Sequence, residues 1–193
     1  MKIGVILGST RKIRRGERVA KWIMSQVPKF EKATFELLDL RDYPLPFYAE
    51  DSSPDSLENG YTNDVAKKWA AKIGEMDGFI FIVGEYNHGP LAVLKNALDY
   101  VYTQWNKKPV AFVSYATGAS GGMRAVEQLR PIVGELEMAD MQAAVHIKNV
   151  LDTLDENGAQ LLGHSDKQLD KVMQQFFWWA EALKTAREKS TEK

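Results

Sequence analysis

The residues best suited to bind an anion lie together in Gly8-Ser9-Thr10-Arg11-Lys12-Ile13-Arg14-Arg15-Gly16-Glu17. Hydroxyls, guanidinium groups and backbone N–H groups at a helix start give a phosphate hydrogen-bond donors, positive charge and the favourable end of the helix dipole. The familiar nucleotide loops are absent. Gly8 is followed by Ser9 where G-x-x-x-x-G-K-[ST] needs lysine, and G-x-G-x-x-G is missing. The same run also reads as a solvated basic turn. A second stretch, Gly84-Glu85-Tyr86-Asn87-His88-Gly89-Pro90, precedes an apolar helix. A planar heteroaromatic ligand could lie across it, with Tyr86 offering apolar area and the backbone offering donors. The alternative is an ordinary strand-to-helix turn with Pro90 near the first helical position. A third stretch, Ser114-Tyr115-Ala116-Thr117-Gly118-Ala119-Ser120-Gly121-Gly122, has the glycines that permit positive φ and close approach of backbone to a flat ligand. It too can be read as a helix entry without a ligand.

Other chemistries find no support. Cysteine is absent, which removes thiol catalysis, cysteine zinc sites, iron–sulfur clusters and disulfides. His88, His146 and His164 lack metal-ligand spacing, and no G-x-S-x-G elbow is present. With 25 Lys plus Arg against 26 Asp plus Glu, the net charge of −1 gives no electrostatic reason to expect nucleic acid or an anionic membrane as partner. No apolar stretch approaches the roughly 20 residues of a membrane helix, and the N-terminal apolar run is too short for a secretory signal. A cytoplasmic protein acting on small molecules is expected.

These loops need a scaffold, and the apolar patterning supplies one. Buried strands are predicted at Ile3–Leu7, Phe35–Leu40, Phe79–Val83, Val110–Tyr115 and Ala143–Ile147, as short continuous apolar runs. Helices are predicted over 18–27, 64–76, 91–102, 125–136 and 167–189. Strict alternation predicts an α/β fold, a five-stranded parallel sheet with helices on both faces, because right-handed crossovers return each helix to the sheet. One domain over residues 1–193 is expected, with the Pro-rich stretch 41–63 as an excursion from it. In such a fold ligands bind beyond the carboxyl ends of the strands, where the three loops lie.

G-S-T-R after the first strand, E-Y-N-H-G-P-x-x-x-L-K-N-A-L-D-Y after the third, K-P-V-A-F-V-S and G-x-x-G-G-x-R-A together resemble the NADPH-dependent FMN reductase family of flavodoxin-like quinone and azo reductases. The resemblance spans about residues 1–140. It implies non-covalent FMN, with NADPH or NADH as co-substrate. It places the phosphate on Ser9, Arg11 and the Arg15-Gly16-Glu17 turn, and the isoalloxazine against Glu85, Tyr86 and Asn87. Tyr115, Ala116, Thr117 and Gly118 close the other edge. Many relatives have proline where this chain has Gly84, so a proline there is expected to be tolerated.

The implied activity is hydride transfer from a nicotinamide to bound flavin and onward to a quinone, azo compound, free flavin or similar acceptor by a ping-pong mechanism. The flavin carries the chemistry, so no catalytic side chain is assigned. The alternatives are a flavin-binding regulator with little turnover and a flavodoxin-type electron carrier, which should be far more acidic than this chain. A homodimer or higher homo-oligomer is expected on two grounds. Leu91, Leu94, Leu98 and Val101 lie opposite Val93, Ala97 and Tyr100 on one helix, giving it two apolar faces to cover. On the last helix, Leu169, Val172, Met173, Phe176, Ala180 and Leu183 form a docking stripe. Trp178 lies off that stripe, and an interface would cover it.

Overall fold

The computed structural model describes residues 1–57 and 60–191. At its centre are β3 (Gly78–Gly84) and β4 (Pro109–Tyr115), both buried at every residue. A strand covered on two faces must be apolar throughout, which is why these read as unbroken runs rather than alternation. β1 (Lys2–Leu7) pairs with β3 and with β2 (Thr34–Asp39), and all the ladders are parallel. The order is β2-β1-β3-β4-β5, with the expected flavodoxin-like sheet recovered.

The fifth strand differs from expectation. It is split into β5 (Ala139–Asp140), beside the start of β4, and β6 (Val145–Ile147), beside its end. Between them, side chains replace the ladder: Arg130 donates to the carbonyls of Met141 (3.0 Å) and Gln142 (3.2 Å), and Gln175 accepts from the N–H of Ala143 (3.1 Å). The intervening backbone groups are thereby satisfied without a strand.

One sheet face carries α1 (Gly16–Gln26) and α6 (Ser165–Thr191), packed through Val19, Trp22, Leu169 and Phe176. The other carries α2 (Asp64–Gly74), α3 (Ala92–Asp99) and α4 (Met123–Glu135), packed through Trp69, Leu94, Leu98 and Leu129. The short α5 (Val150–Thr153) follows β6 and was not anticipated. On α6, Leu169, Val172, Met173, Phe176 and Ala180 are buried as the stripe required, whereas Trp178 is 66% exposed.

α3 is shorter than its apolar pattern, and both its faces are covered within the chain. Leu94 and Leu98 face the sheet side of the core, while Ala97 and Tyr100 are buried beneath α2 and the excursion. The Trp69 indole donates to the Ala97 carbonyl (2.8 Å), and the Tyr48 ring packs edge-on to Tyr100 (5.1 Å). A two-faced α3 therefore gives no reason for a second subunit. Asn96 fastens the excursion to it, donating to the Pro46 carbonyl (2.8 Å) and accepting from the Tyr48 N–H (3.1 Å). Asn96→Ala should cost about 1–2 kcal/mol, the scale of two neutral hydrogen bonds, read as a lower denaturant midpoint at unchanged slope.

Candidate functional site

The strand order reverses between β1 and β3, and the loops after β1, β3 and β4 meet at that end of the sheet. They enclose a cavity of about 80 Å³ lined by Ser9, Arg11, Arg14, Arg15, Gly84, Glu85, Tyr86, Tyr115, Ala116 and Thr117. Ser9, Arg11, Arg15, Glu85, Tyr86, Tyr115, Ala116 and Thr117 were expected from sequence; Arg14 and Gly84 were not assigned as contacts. Four expected residues lie outside the lining. Gly16 packs behind the Tyr115 ring, Glu17 is exposed on the first turn of α1, Asn87 sits at a loop tip, and Gly118 is exposed.

Arg14 is the residue that sequence reasoning missed. Its side chain is only 4% exposed and forms a forked pair with Asp39, Nη1 donating to Oδ1 at 2.6 Å and Nη2 to Oδ2. Nη1 also donates to the Ser9 carbonyl (2.8 Å). Nε is buried without a hydrogen-bond partner, and the nearest carboxylate oxygen, Glu17 Oε2, lies 3.8 Å away. Burial pushes the Asp39 carboxyl up, but hydrogen bonds from Arg14 and the Arg41 N–H, with the Arg14 charge, outweigh it and hold it below the usual carboxylate range. Arg41 completes the brace by donating to the carbonyls of Arg11 and of Lys12 (3.0 Å). The available signal was Asp39 itself, an acid closing an otherwise apolar strand end beside the loop.

The second loop is a tight hairpin. Tyr86 and Gly89 exchange N–H to carbonyl bonds of 3.0 and 2.9 Å around Asn87 and His88, both at positive φ (50° and 68°). Positive φ at both central residues is the geometry of a type I′ turn. It leaves Tyr86 at the surface, with the Arg11 guanidinium 5.9 Å from its ring centre. The Glu85 carboxylate turns inward, accepting from Arg124 Nε (2.9 Å) and the Arg124 N–H (3.2 Å). It ties the hairpin to the start of α4. Arg124 Nη1 also meets His88 Nε2 at 2.9 Å.

The third loop is held from behind. Ser114 donates to the Gly121 carbonyl (2.7 Å) and lies 2.7 Å from His146 Nδ1. Gly122 stands at φ 83°, and a Cβ there would come within 2.9 Å of the Ser114 Cβ, so only glycine suits this entry to α4. His164 is exposed away from the loops, and among the described residues no cluster could hold a metal ion.

Tyr115 shapes the cavity floor. A Cβ on Gly16 would lie 2.7 Å from its hydroxyl oxygen, and one on Gly84 would lie 3.0 Å from it. Burial pushes the phenol up to about 12, which keeps it a neutral hydrogen-bond donor at physiological pH. A proline at Gly84 would place its Cβ at that 3.0 Å contact, so the Tyr115 phenol must give by a few tenths of an ångström for the expected tolerance to hold.

The donor set matches an anion. Arg11, Lys12, Arg15 and Arg41 form no ion pair among the described residues, α1 has no side-chain cap, and Arg14 Nε is unpartnered. The cavity is the size of a phosphoryl group with part of its chain. A three-ring flavin bound here must lie outside it, across Tyr86 and the loop after β4.

Fold and site together define a flavodoxin-like α/β protein with an arginine-lined cavity at its topological switch point. Residues 1–152 match the family described as NADPH-dependent FMN reductase, and the chain belongs to that family. It is 39% identical over 137 residues to an NAD(P)H-dependent FMN reductase of Schizosaccharomyces pombe, spanning 71% of this chain and 68% of that one. A 2-hydroxy-1,4-benzoquinone reductase of a Burkholderia species is 29% identical over 185 residues, spanning 93% and 96%. The fold matches that of FerB, a flavoenzyme NAD(P)H:(acceptor) oxidoreductase from Paracoccus denitrificans, with a TM-score of 0.72 at 19% identity over 95% and 97% of the two chains. The protein is thus an oxidoreductase of the flavin-dependent, nicotinamide-using type.

Two expectations follow. Arg14→Ala leaves the Asp39 carboxylate without its partner and should destabilise by roughly 2–4 kcal/mol, below the full value for a buried pair because Asp39 retains some solvent contact. Because the folded-state pKa of Asp39 is depressed, its stabilising contribution is complete above about pH 4 and is lost as pH falls through the folded value. The wild-type minus Arg14→Ala difference in unfolding free energy should therefore shrink on acidification below that point. Gly84→Pro should cost about 1–3 kcal/mol by overpacking, and Tyr115→Ala in the same chain should recover part of it. Additive losses in the double variant would show that the Tyr115 contact is not the cause.

Proposed function

We propose that the protein is an FMN-dependent NAD(P)H oxidoreductase that passes electrons to a quinone, azo compound, free flavin or similar small acceptor by a ping-pong mechanism. The observation that carries this reading is the cavity at the switch point, lined by Ser9, Arg11, Arg14 and Arg15 on one side and by Tyr86 and the loop after β4 on the other. It acts as one domain over residues 1–193, in the cytoplasm, and as a homodimer or higher homo-oligomer.

Arg11 and Arg15, with Ser9 and the Arg15-Gly16-Glu17 turn at the start of α1, hold the FMN phosphate. Tyr86 and the backbone of Asn87 flank the isoalloxazine on one side, and Ala116, Thr117 and Gly118 flank it on the other. Glu85 positions these two walls through Arg124 instead of touching the ring itself. FMN, when bound, supplies the two-electron chemistry between nicotinamide and acceptor. The protein's part is to hold and orient it while leaving one face open, so donor and acceptor must take turns.

Under anaerobic conditions NADPH or NADH should bleach the bound flavin, and double-reciprocal plots with a benzoquinone should give parallel lines. Flavin that stays oxidised would eliminate the enzyme reading, and intersecting lines would eliminate ping-pong. Arg11→Ala should weaken FMN binding by about 1.5–3 kcal/mol, the scale of a hydrogen bond to a charged group, measured by flavin fluorescence on release.

A further inference from the structure

A groove of about 540 Å³ lies between the middle of α6 and the turn at 29–32 that leads into β2. All the ladders are parallel, so a turn entering β2 stands at the end of the sheet opposite the loops of the candidate flavin cavity. The groove has an apolar floor. Met173 and Phe177 are buried there, and the Phe30 and Phe177 rings lie 5.8 Å apart. Trp178 stands on the α6 rim, largely exposed, with its ring edge-on to Trp179 at 5.1 Å.

The two walls of the groove carry opposite charge. The α6 wall contributes Asp170 and Glu181, which stand about three turns apart on one side of the helix. The turn contributes Lys29 and Lys32, with Glu31 between them. Each lysine pairs across the groove, Lys29 with Asp170 (2.6 Å) and Lys32 with Glu181 (2.8 Å). A two-fold axis along the groove lays the acidic wall of one copy on the basic wall of another. Each lysine then gains a second carboxylate and each carboxylate a second lysine, so the surface is self-complementary in charge, as a closed isologous contact requires. The same rotation sets each Trp178 against the other copy's turn.

We propose that this groove is a contact surface between two copies of this chain, each inserting Trp178 into the groove of the other, and that the contact leaves both flavin cavities open. The proposal rests on the homo-oligomer reading above and gives that reading its surface. An apolar small molecule would cover the floor but bring the charged walls no new partner, and an anionic membrane would meet the acidic wall as well as the basic one. A second copy satisfies floor, walls and Trp178 together. A tryptophan at the centre of a contact, ringed by polar residues, is where the binding energy of such surfaces concentrates. Because Trp179 already restrains the indole, less side-chain freedom is lost when it is covered.

The chain has no cysteine, so single introduced thiols report the geometry directly. Gln174→Cys and Glu31→Cys each put one thiol at an exposed position, on opposite walls. Under mild oxidation an equimolar mixture of the two variants should form a disulfide-linked dimer, whereas neither variant alone should link to a comparable extent. In sedimentation at micromolar concentration Trp178→Ala should halve the wild-type mass, with a dissociation constant raised at least about thirtyfold, the scale of an interface hot spot. Its FMN affinity should be unchanged, which shows that the variant is folded; loss of FMN along with the mass would overturn the separation of the contact from the flavin cavity. A mixture that fails to link, or a Trp178→Ala protein of wild-type oligomeric mass, overturns this surface and leaves the homo-oligomer reading standing. A monomeric wild-type protein overturns both.

Discussion

The candidate site depends on one buried ion pair. Asp39 ends β2, Arg14 closes the loop after β1, and their forked contact fixes how that loop sits over the sheet. The pair is braced on both sides, by the Ser9 carbonyl on Arg14 and by the Arg41 N–H on Asp39. Removing an arginine from water is costly, and an aliphatic pair of similar volume would give comparable stability. The feature such a replacement could not reproduce is the free Nε. Two of the three guanidinium nitrogens are committed to the scaffold, leaving the third buried without a hydrogen-bond partner in a side chain that lines the cavity. Its orientation entropy is lost in folding rather than in binding a ligand.

The sheet was legible because burial on both faces demands continuous apolar runs, and β1, β3 and β4 satisfy that demand residue by residue. The split of the last strand was not. Ala143 to Ile147 has the composition of a strand, but the side chains that bond the backbone at and just before its start, Arg130 at Met141 and Gln142 and Gln175 at Ala143, come from helices on opposite sides of the sheet. The same limit applies to α3. Its second apolar face is visible in the spacing of Val93, Ala97 and Tyr100, yet nothing local says that the Pro-rich excursion folds back to cover it. Arg14 was obscured by similar company: four arginines and lysines crowd that loop, and only the partner across 25 residues of chain distinguishes the buried one.

Tyr115 shows how one large residue can set the identity of two distant small ones. Its ring occupies the space between the loops after β1 and β3, so Gly16 has no room for a side chain and Gly84 has little. Glycine at position 84 gives the loop after β3 little rigidity of its own. The hairpin regains it through the paired Tyr86 and Gly89 backbones and through Glu85 bound to the head of α4. Each wall of the cavity is consequently anchored to a neighbouring wall: the first loop to β2, the second to α4, and the third to His146 on β6.

Charge gives the last step of the argument. A chain with a net charge of −1 has no overall field with which to steer a protein partner, yet its ion pairs are unevenly distributed. Lys29, Lys32, Lys72 and Lys184 are matched to carboxylates on the body of the molecule, whereas Arg11, Lys12, Arg15 and Arg41, all at one end of the sheet, form no ion pair among the described residues. Exposed pairs contribute little to stability, so matching them elsewhere mainly cancels the field there. Two of the loop-end cations, Arg11 and Arg15, line the cavity itself, where their charge acts at the range of a small anion rather than of a docking protein. That distribution favours an enzyme taking phosphorylated cofactors over a carrier that must attract a partner surface.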